Sequence, residues 1–143
     1  MDIRVTFGGN KKVDASLRGF TVHTDQPVAG AGDNTAPSPF ELFMASLATC
    51  AGYYVLEFLN QRSIPADDTS VTFHAERDPE TKMFRKFTVN VLLPETFPEK
   101  YKNAILKVVD ACTVKKHLYE PPQFETVVHI GDNAVASATT NSR

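Results

Sequence analysis

The chain has no tryptophan and only two cysteines, Cys50 and Cys112, among 143 residues. It also lacks an excess of positive charge. Its 15 Lys and Arg stand against 17 Asp and Glu, for a formal net charge of −2. A nucleic-acid or anionic-membrane partner would favour a basic surface, so neither is expected. The most apolar stretch, Leu42 to Leu56, is 15 residues long. A bilayer-spanning helix needs roughly 20, so this stretch reads as a buried core helix. Met1 leads into Asp2-Ile3-Arg4-Val5 without the basic and then apolar segments of a signal peptide. A cytoplasmic location is therefore expected. In that reducing compartment two cysteines serve as free, catalytic or redox-sensing thiols more often than as a structural disulfide.

Metal and phosphate patterns are missing as well. His23, His74, His117 and His129 are scattered, and no pair among them or with the cysteines has the spacing of a zinc site. Neither Gly8-Gly9 nor Gly30-x-Gly32 completes a phosphate loop. No metal or cofactor is expected.

What is present is one domain's worth of alternating patterns over residues 1–130, followed by 131–143, which has little apolar content and reads as a flexible tail. Asp2 to Phe7 predicts a strand. Lys12 to Thr24 predicts more strand, broken near Gly19. Asp25 to Pro39 is a long loop rich in Gly, Pro and small polar residues. Ser38-Pro39-Phe40-Glu41 is a capping box with Pro at the first helical position, opening a helix to about Gln61 ahead of Ile64-Pro65. Val71 to Arg77 and Phe84 to Leu93 alternate with period two around the turn Asp78-Pro79-Glu80-Thr81, as a hairpin does. Thr96-Phe97-Pro98-Glu99 has the form of a second capping box. The apolar stripe Tyr101, Ile105, Val108, Cys112 and Tyr119 predicts a second helix, and Phe124 to Ile130 a last strand. The order is that of an α+β fold with mostly antiparallel pairing. The first helix is apolar nearly all round, more than one small sheet can cover, so a partner subunit is expected against it.

Both cysteines lie among apolar neighbours. Each could be a small buried hydrophobe, as most free cysteines are. A catalytic role would need solvent access and a hydrogen-bonding or electropositive setting that favours the thiolate. Cys50 is too deep in its own helix for that helix's N-terminal dipole to supply this. The cysteines are 62 residues apart in sequence, and pairing would require their Cα atoms to come within about 7 Å. Glu41 could act as a carboxylate, but the capping box already accounts for it. Nine residues before Cys50, it points to the opposite side of an ideal helix.

Thr35-Ala36-Pro37-Ser38-Pro39-Phe40-Glu41-Leu42-Phe43, continuing through Ala45-Ser46-Leu47-Ala48-Thr49-Cys50, resembles the first-cysteine helix of the OsmC/Ohr family. Asp110-Ala111-Cys112-Thr113-Val114 resembles that family's second-cysteine segment, which often reads Cys-Pro-Val. The Pro-Ser-Pro-x-Glu-Leu form is most similar to the YhfA-like branch. The resemblance implies an OsmC-like fold, with antiparallel-rich sheets wrapped around two long central helices in an intertwined homodimer. It implies a thiol peroxidase without bound cofactor. Cys50 would attack an organic hydroperoxide, Cys112 would resolve the product as a disulfide, and an external dithiol would reduce it. In the peroxidase branch a Glu follows the helix-starting Pro and an Arg follows the early Gly-Gly turn. Here those positions hold Phe40 and Asn10, which leaves Glu41, Lys11 and Arg18 as the nearby charged candidates. The alternative on the same scaffold is a protein that binds a small hydrophobic ligand at the dimer interface.

Overall fold

Ser38 starts the longest element. Its backbone N–H and hydroxyl both donate to Glu41 Oε2, at 2.7 and 2.8 Å, and its Oγ accepts from the Glu41 N–H at 3.4 Å. This is the reciprocal capping box that the sequence predicts. The helix it opens, α1, runs Pro39–Asn60 in the computed structural model, which describes residues 1–140. It ends in a Schellman motif. The Ile64 N–H reaches the Leu59 carbonyl, the Ser63 N–H reaches that of Asn60, and Ser63 takes the left-handed conformation at φ 51°. At 22 residues α1 is longer than the apolar stretch within it, and by length and composition alone it could cross a bilayer. Leu47, Ala51, Val55, Phe58 and Leu59 are buried, as in a core helix, whereas Tyr53 and Leu56 are exposed.

The chain packs as two compact units, and α1 runs from one into the other. The first comprises Met1–Thr49 and Val71–Val91. It holds the strands β1 (Arg4–Phe7), β2 (Val13–Leu17) and β3 (Phe20–Thr24), paired antiparallel in that order. Arg18 and Gly19, at φ 48° and 85°, form the two-residue turn between β2 and β3. Positive φ at both central residues matches the right-handed strand twist, which is why this break falls at a glycine. The same unit contains the hairpin of β4 (Ser70–Arg77) and β5 (Phe84–Leu92), apart from its end residues Ser70 and Leu92. Its turn is fixed by Asp78 Oδ1, which accepts from the Glu80 and Thr81 N–H groups. Phe40 stacks on Phe84 at 5.2 Å between centroids and leans on Phe43, while Phe87 joins Phe43, Phe73 and Phe84. The aromatic ring at position 40 thus serves packing.

The loop between β3 and α1 is built around Asp25, whose side chain is fully buried. Its carboxylate accepts from the N–H groups of Gln26, Asp33 and Thr35 and from the Thr35 hydroxyl, at 2.7 to 3.2 Å. Gly32 passes so close to the Gln26 backbone that a Cβ would overlap the Gln26 carbonyl. Gly32→Ala is therefore expected to destabilise the protein by about 1–3 kcal/mol through overpacking. Thermal unfolding checks this, with a drop of roughly 3–10 °C expected.

The second unit comprises Cys50–Ser70 and the chain from Leu92 onward. The apolar stripe predicts one continuous second helix, but the structure divides it. A 3₁₀ turn at Glu99–Tyr101 leads into α2 (Lys102–Asp110), and a separate helix, α3, covers Thr113–Tyr119. Two sequence expectations are corrected here. The Thr96/Glu99 capping box does not form, because the Glu99 carboxylate instead pairs with Lys102 Nζ at 2.7 Å. The helix also does not run through Cys112. That residue leaves helical geometry at φ −49°, ψ 119°, and becomes the N-cap of α3. The break is tied by Lys115, whose Nζ reaches Asp110 at 2.6 Å.

A third correction concerns the C-terminal segment. Asn133–Thr140 is not a frayed tail but a strand, β7, paired antiparallel with β6 (Phe124–Ile130) across a bulge at Val128/His129. Backbone pairing with β6 supplies the order that its small, weakly apolar side chains do not advertise. Residues 141–143 of the expected tail lie outside the described residues. Every residue of β6 is exposed, including Phe124, Val127, Val128 and Ile130.

Candidate active site

Cys50 lies midway along α1 and is half-buried; Cys112 is buried, with 2% of its surface exposed. Both thiols are free and belong to the second unit, where they form a hydrogen-bonded pair. The helix break creates this arrangement. When Cys112 turns out of helical geometry, the first N–H groups of α3 lose intrahelical acceptors, as at any helix start. Three of them find sulfur. The Lys115 N–H bonds to Cys112 Sγ at 3.5 Å, so the thiol itself caps the helix. The N–H groups of Thr113 and Val114 turn towards the Cys50 sulfur.

The consequences for ionisation are opposite at the two sites. At Cys50, burial is the largest influence and disfavours the charged form. The hydrogen bond from the Cys112 thiol and those from the Val114 and Thr113 N–H groups together outweigh it, and the Cys50 thiol is held below its ordinary pKa. At Cys112, burial again acts first and raises the pKa. The hydrogen bond to Cys50 and the Cys50 charge add to the rise, partly offset by the Lys115 and Val114 N–H groups. The pair therefore divides into a partly accessible thiol shifted towards ionisation and a buried thiol shifted away from it. Solvent access and hydrogen bonds that favour the thiolate are what a reactive cysteine requires, and of the two Cys50 has both.

The other sequence candidates, Glu41, Arg18 and Lys11, belong to the first unit. Glu41 is engaged by Ser38, whose N–H and hydroxyl hold its carboxyl below the ordinary range. Arg18 occupies the β2–β3 turn with its guanidinium 6.0 Å from the Phe20 ring. Lys11 is exposed in the turn between β1 and β2. Asn10, at the position of the family Arg, donates to Asp33 Oδ1 at 2.8 Å, and Lys12 Nζ pairs with Asp33 Oδ2 at 2.8 Å. These contacts tie the first turn to the Asp25 loop.

Sequence reasoning missed the backbone donors at Thr113 and Val114, and it missed Tyr54. Tyr54 lies one helical turn after Cys50, with its hydroxyl 3.1 Å from Thr113 Oγ1. The available signal was the Cys-Pro-Val form of the related motif. Proline is favoured at the first position of a helix, so that form marks a helix start directly after the cysteine.

The fold has close counterparts among solved structures. A protein assigned to the osmotic stress and detoxification response of Psychrobacter arcticus is 21% identical, with 80% of this chain and 85% of that one covered and a TM-score of 0.68. An OsmC-like protein of Mycoplasma pneumoniae is 16% identical, with 84% and 87% covered and a TM-score of 0.62. The organic hydroperoxide resistance protein OsmC of Legionella pneumophila is 20% identical, with 82% and 87% covered and a TM-score of 0.52. No curated protein sequence matches the chain significantly. The family model for OsmC-like proteins matches residues 32–127, from the Asp25 loop through both cysteines into β6. With that match spanning most of the chain and the fold shared by these structures, the protein belongs to the OsmC-like family.

Proposed function

We propose that the chain is a cysteine-based peroxidase that reduces organic hydroperoxides in the cytoplasm, with Cys50 as nucleophile and Cys112 as resolving thiol. The observation that carries this reading is the pair of free thiols, a partly exposed Cys50 beside a buried Cys112, with the Cys112 thiol and the Val114 and Thr113 N–H groups as donors that favour the Cys50 thiolate. They provide a local reason for a thiolate where the family Glu and Arg are replaced by Phe40 and Asn10.

The chemistry runs in three balanced steps. The Cys50 thiolate attacks the terminal peroxide oxygen and the O–O bond breaks. Cys50 becomes a sulfenic acid, and the departing alkoxide takes a proton to leave as an alcohol. The Cys112 sulfur then attacks the Cys50 sulfur, giving a disulfide and water. An external dithiol reduces the disulfide by two exchanges and is itself oxidised to a disulfide.

A homodimer accompanies this reading. The exposed Tyr53 and Leu56 on α1 and the wholly exposed β6 support it, because a two-stranded hairpin with apolar side chains in water is marginal on its own. The alternative, a protein that binds a small hydrophobic ligand, draws less support from Phe40, whose ring already packs on Phe84 and Phe43.

One experiment tests the assignment. The reduced protein is treated with one equivalent of cumene hydroperoxide, with peroxide consumption and free thiols followed together. Loss of one peroxide with loss of both thiols is expected. Two free thiols and unconsumed peroxide would sink the proposal.

A further inference from the structure

Tyr54 and Thr113 are brought together from distant parts of the sequence by a single hydroxyl–hydroxyl hydrogen bond of 3.1 Å. Thr113 is the first residue of α3 and follows the N-cap Cys112. Its three polar groups are all engaged. The hydroxyl meets Tyr54, the carbonyl meets His117 Nδ1 at 2.8 Å, and the N–H faces the Cys50 sulfur. Tyr54 is half-buried on α1, one turn beyond Cys50. The helix that carries the nucleophile thus also carries a clamp on the segment that supplies the nucleophile's hydrogen-bond donors. The first turn of a helix frays easily, and α3 has only seven residues to resist this.

We propose that Tyr54 is a positioning residue for Cys50: its hydroxyl anchors Thr113, and so keeps the Thr113 and Val114 N–H groups on the Cys50 sulfur. This deepens the peroxidase reading and rests on it for its purpose, but the clamp has a readout of its own. Without the phenol hydroxyl, the start of α3 can drift from Cys50 and the thiolate loses part of its stabilisation. The side chain does not touch the peroxide in this scheme; it acts through the backbone of another residue.

The test follows the rate of Cys50 alkylation by iodoacetamide against pH in the full-length reduced protein, with Cys50 separated from Cys112 by peptide mass. In Tyr54→Phe the midpoint for Cys50 is expected to rise by about half a pH unit, a roughly threefold loss of thiolate below the midpoint. Thr113→Ser keeps a hydroxyl and should keep the wild-type midpoint. Thr113→Pro removes the hydroxyl and the N–H together. Proline suits the first helical position, and the extended ψ of Cys112 accommodates a following proline, so this variant should fold. Its midpoint should rise further than that of Tyr54→Phe. Combining Tyr54→Phe with Thr113→Pro should add nothing to Thr113→Pro alone.

An unchanged midpoint in a folded Tyr54→Phe protein overturns the proposal, as does additivity in the double variant. If Tyr54→Phe fails to fold, the Thr113 pair decides: equal midpoints in Thr113→Ser and Thr113→Pro overturn it. The titration uses no peroxide, so it separates the two readings. A shifted midpoint in a protein that consumes no hydroperoxide leaves the clamp standing and removes the peroxidase. Turnover with an unshifted midpoint does the reverse.

Discussion

Replacing Cys50 with serine is expected to abolish hydroperoxide reduction, with a loss of at least about a thousandfold in rate, or roughly 4 kcal/mol of barrier. A serine hydroxyl in the same place would accept the same hydrogen bonds, but at neutral pH it is not ionised and is a poor nucleophile toward an O–O bond. Cys112→Ser should behave differently. The new hydroxyl can still donate to Cys50, so the first attack survives and one equivalent of peroxide is consumed. The reaction then stops at the Cys50 sulfenic acid, which excess peroxide drives to the sulfinic acid. Mass spectrometry distinguishes the products: a gain of two oxygens on Cys50 in this variant, against a loss of two hydrogens across the pair in the wild type. Equal multiple-turnover rates for wild type and Cys112→Ser would remove Cys112 from the cycle.

Asp25→Asn is expected to have the largest effect on folding. The Thr35 N–H is the strongest of the influences that hold the Asp25 carboxyl below its ordinary pKa. Burial opposes it, and the Gln26 N–H, the Thr35 hydroxyl and the Asp33 N–H reinforce it. Asparagine offers one acceptor oxygen where the carboxylate offers two, and its amide nitrogen would face the N–H groups that now meet Oδ2. A fall in melting temperature of roughly 5–10 °C is expected near neutral pH. The pH dependence carries a sign. A carboxyl whose folded pKa is depressed contributes stability above its unfolded value, near 3.9, and loses it as pH falls through the folded value. The gap between wild type and Asp25→Asn should therefore be full at pH 6 and shrink on acidification below about pH 4. A gap that stays constant down to pH 2 would show that the charge of Asp25 does not matter.

How much of this was legible in the sequence differed by feature. The Ser38–Glu41 capping box could be read directly, because its partners are three residues apart and depend on nothing distant. The β4–β5 hairpin was equally plain from period-two alternation and an Asx turn. The division of the second helix was hidden. The apolar stripe runs through Cys112 without interruption, and cysteine is not a residue whose capping role can be anticipated from type alone. β7 was missed because its sequence offers little apolar alternation and its order comes from pairing with β6. The Cys50–Cys112 pairing entered the sequence reading only through the family resemblance. The N–H donors beside it depend on a helix start directly after Cys112, which the related Cys-Pro-Val form marks and the uninterrupted apolar stripe hides.

Cys112 also places a ceiling on how stable this segment can become. One sulfur atom begins α3 by accepting the Lys115 N–H and also donates to Cys50. Serine, aspartate or asparagine would begin the helix better, and selection for stability alone would favour them there. Each would remove the only thiol in the chain besides Cys50. A redesign guided by melting temperature would therefore be drawn to this position first, and would return a sturdier protein with the proposed redox cycle cut in half.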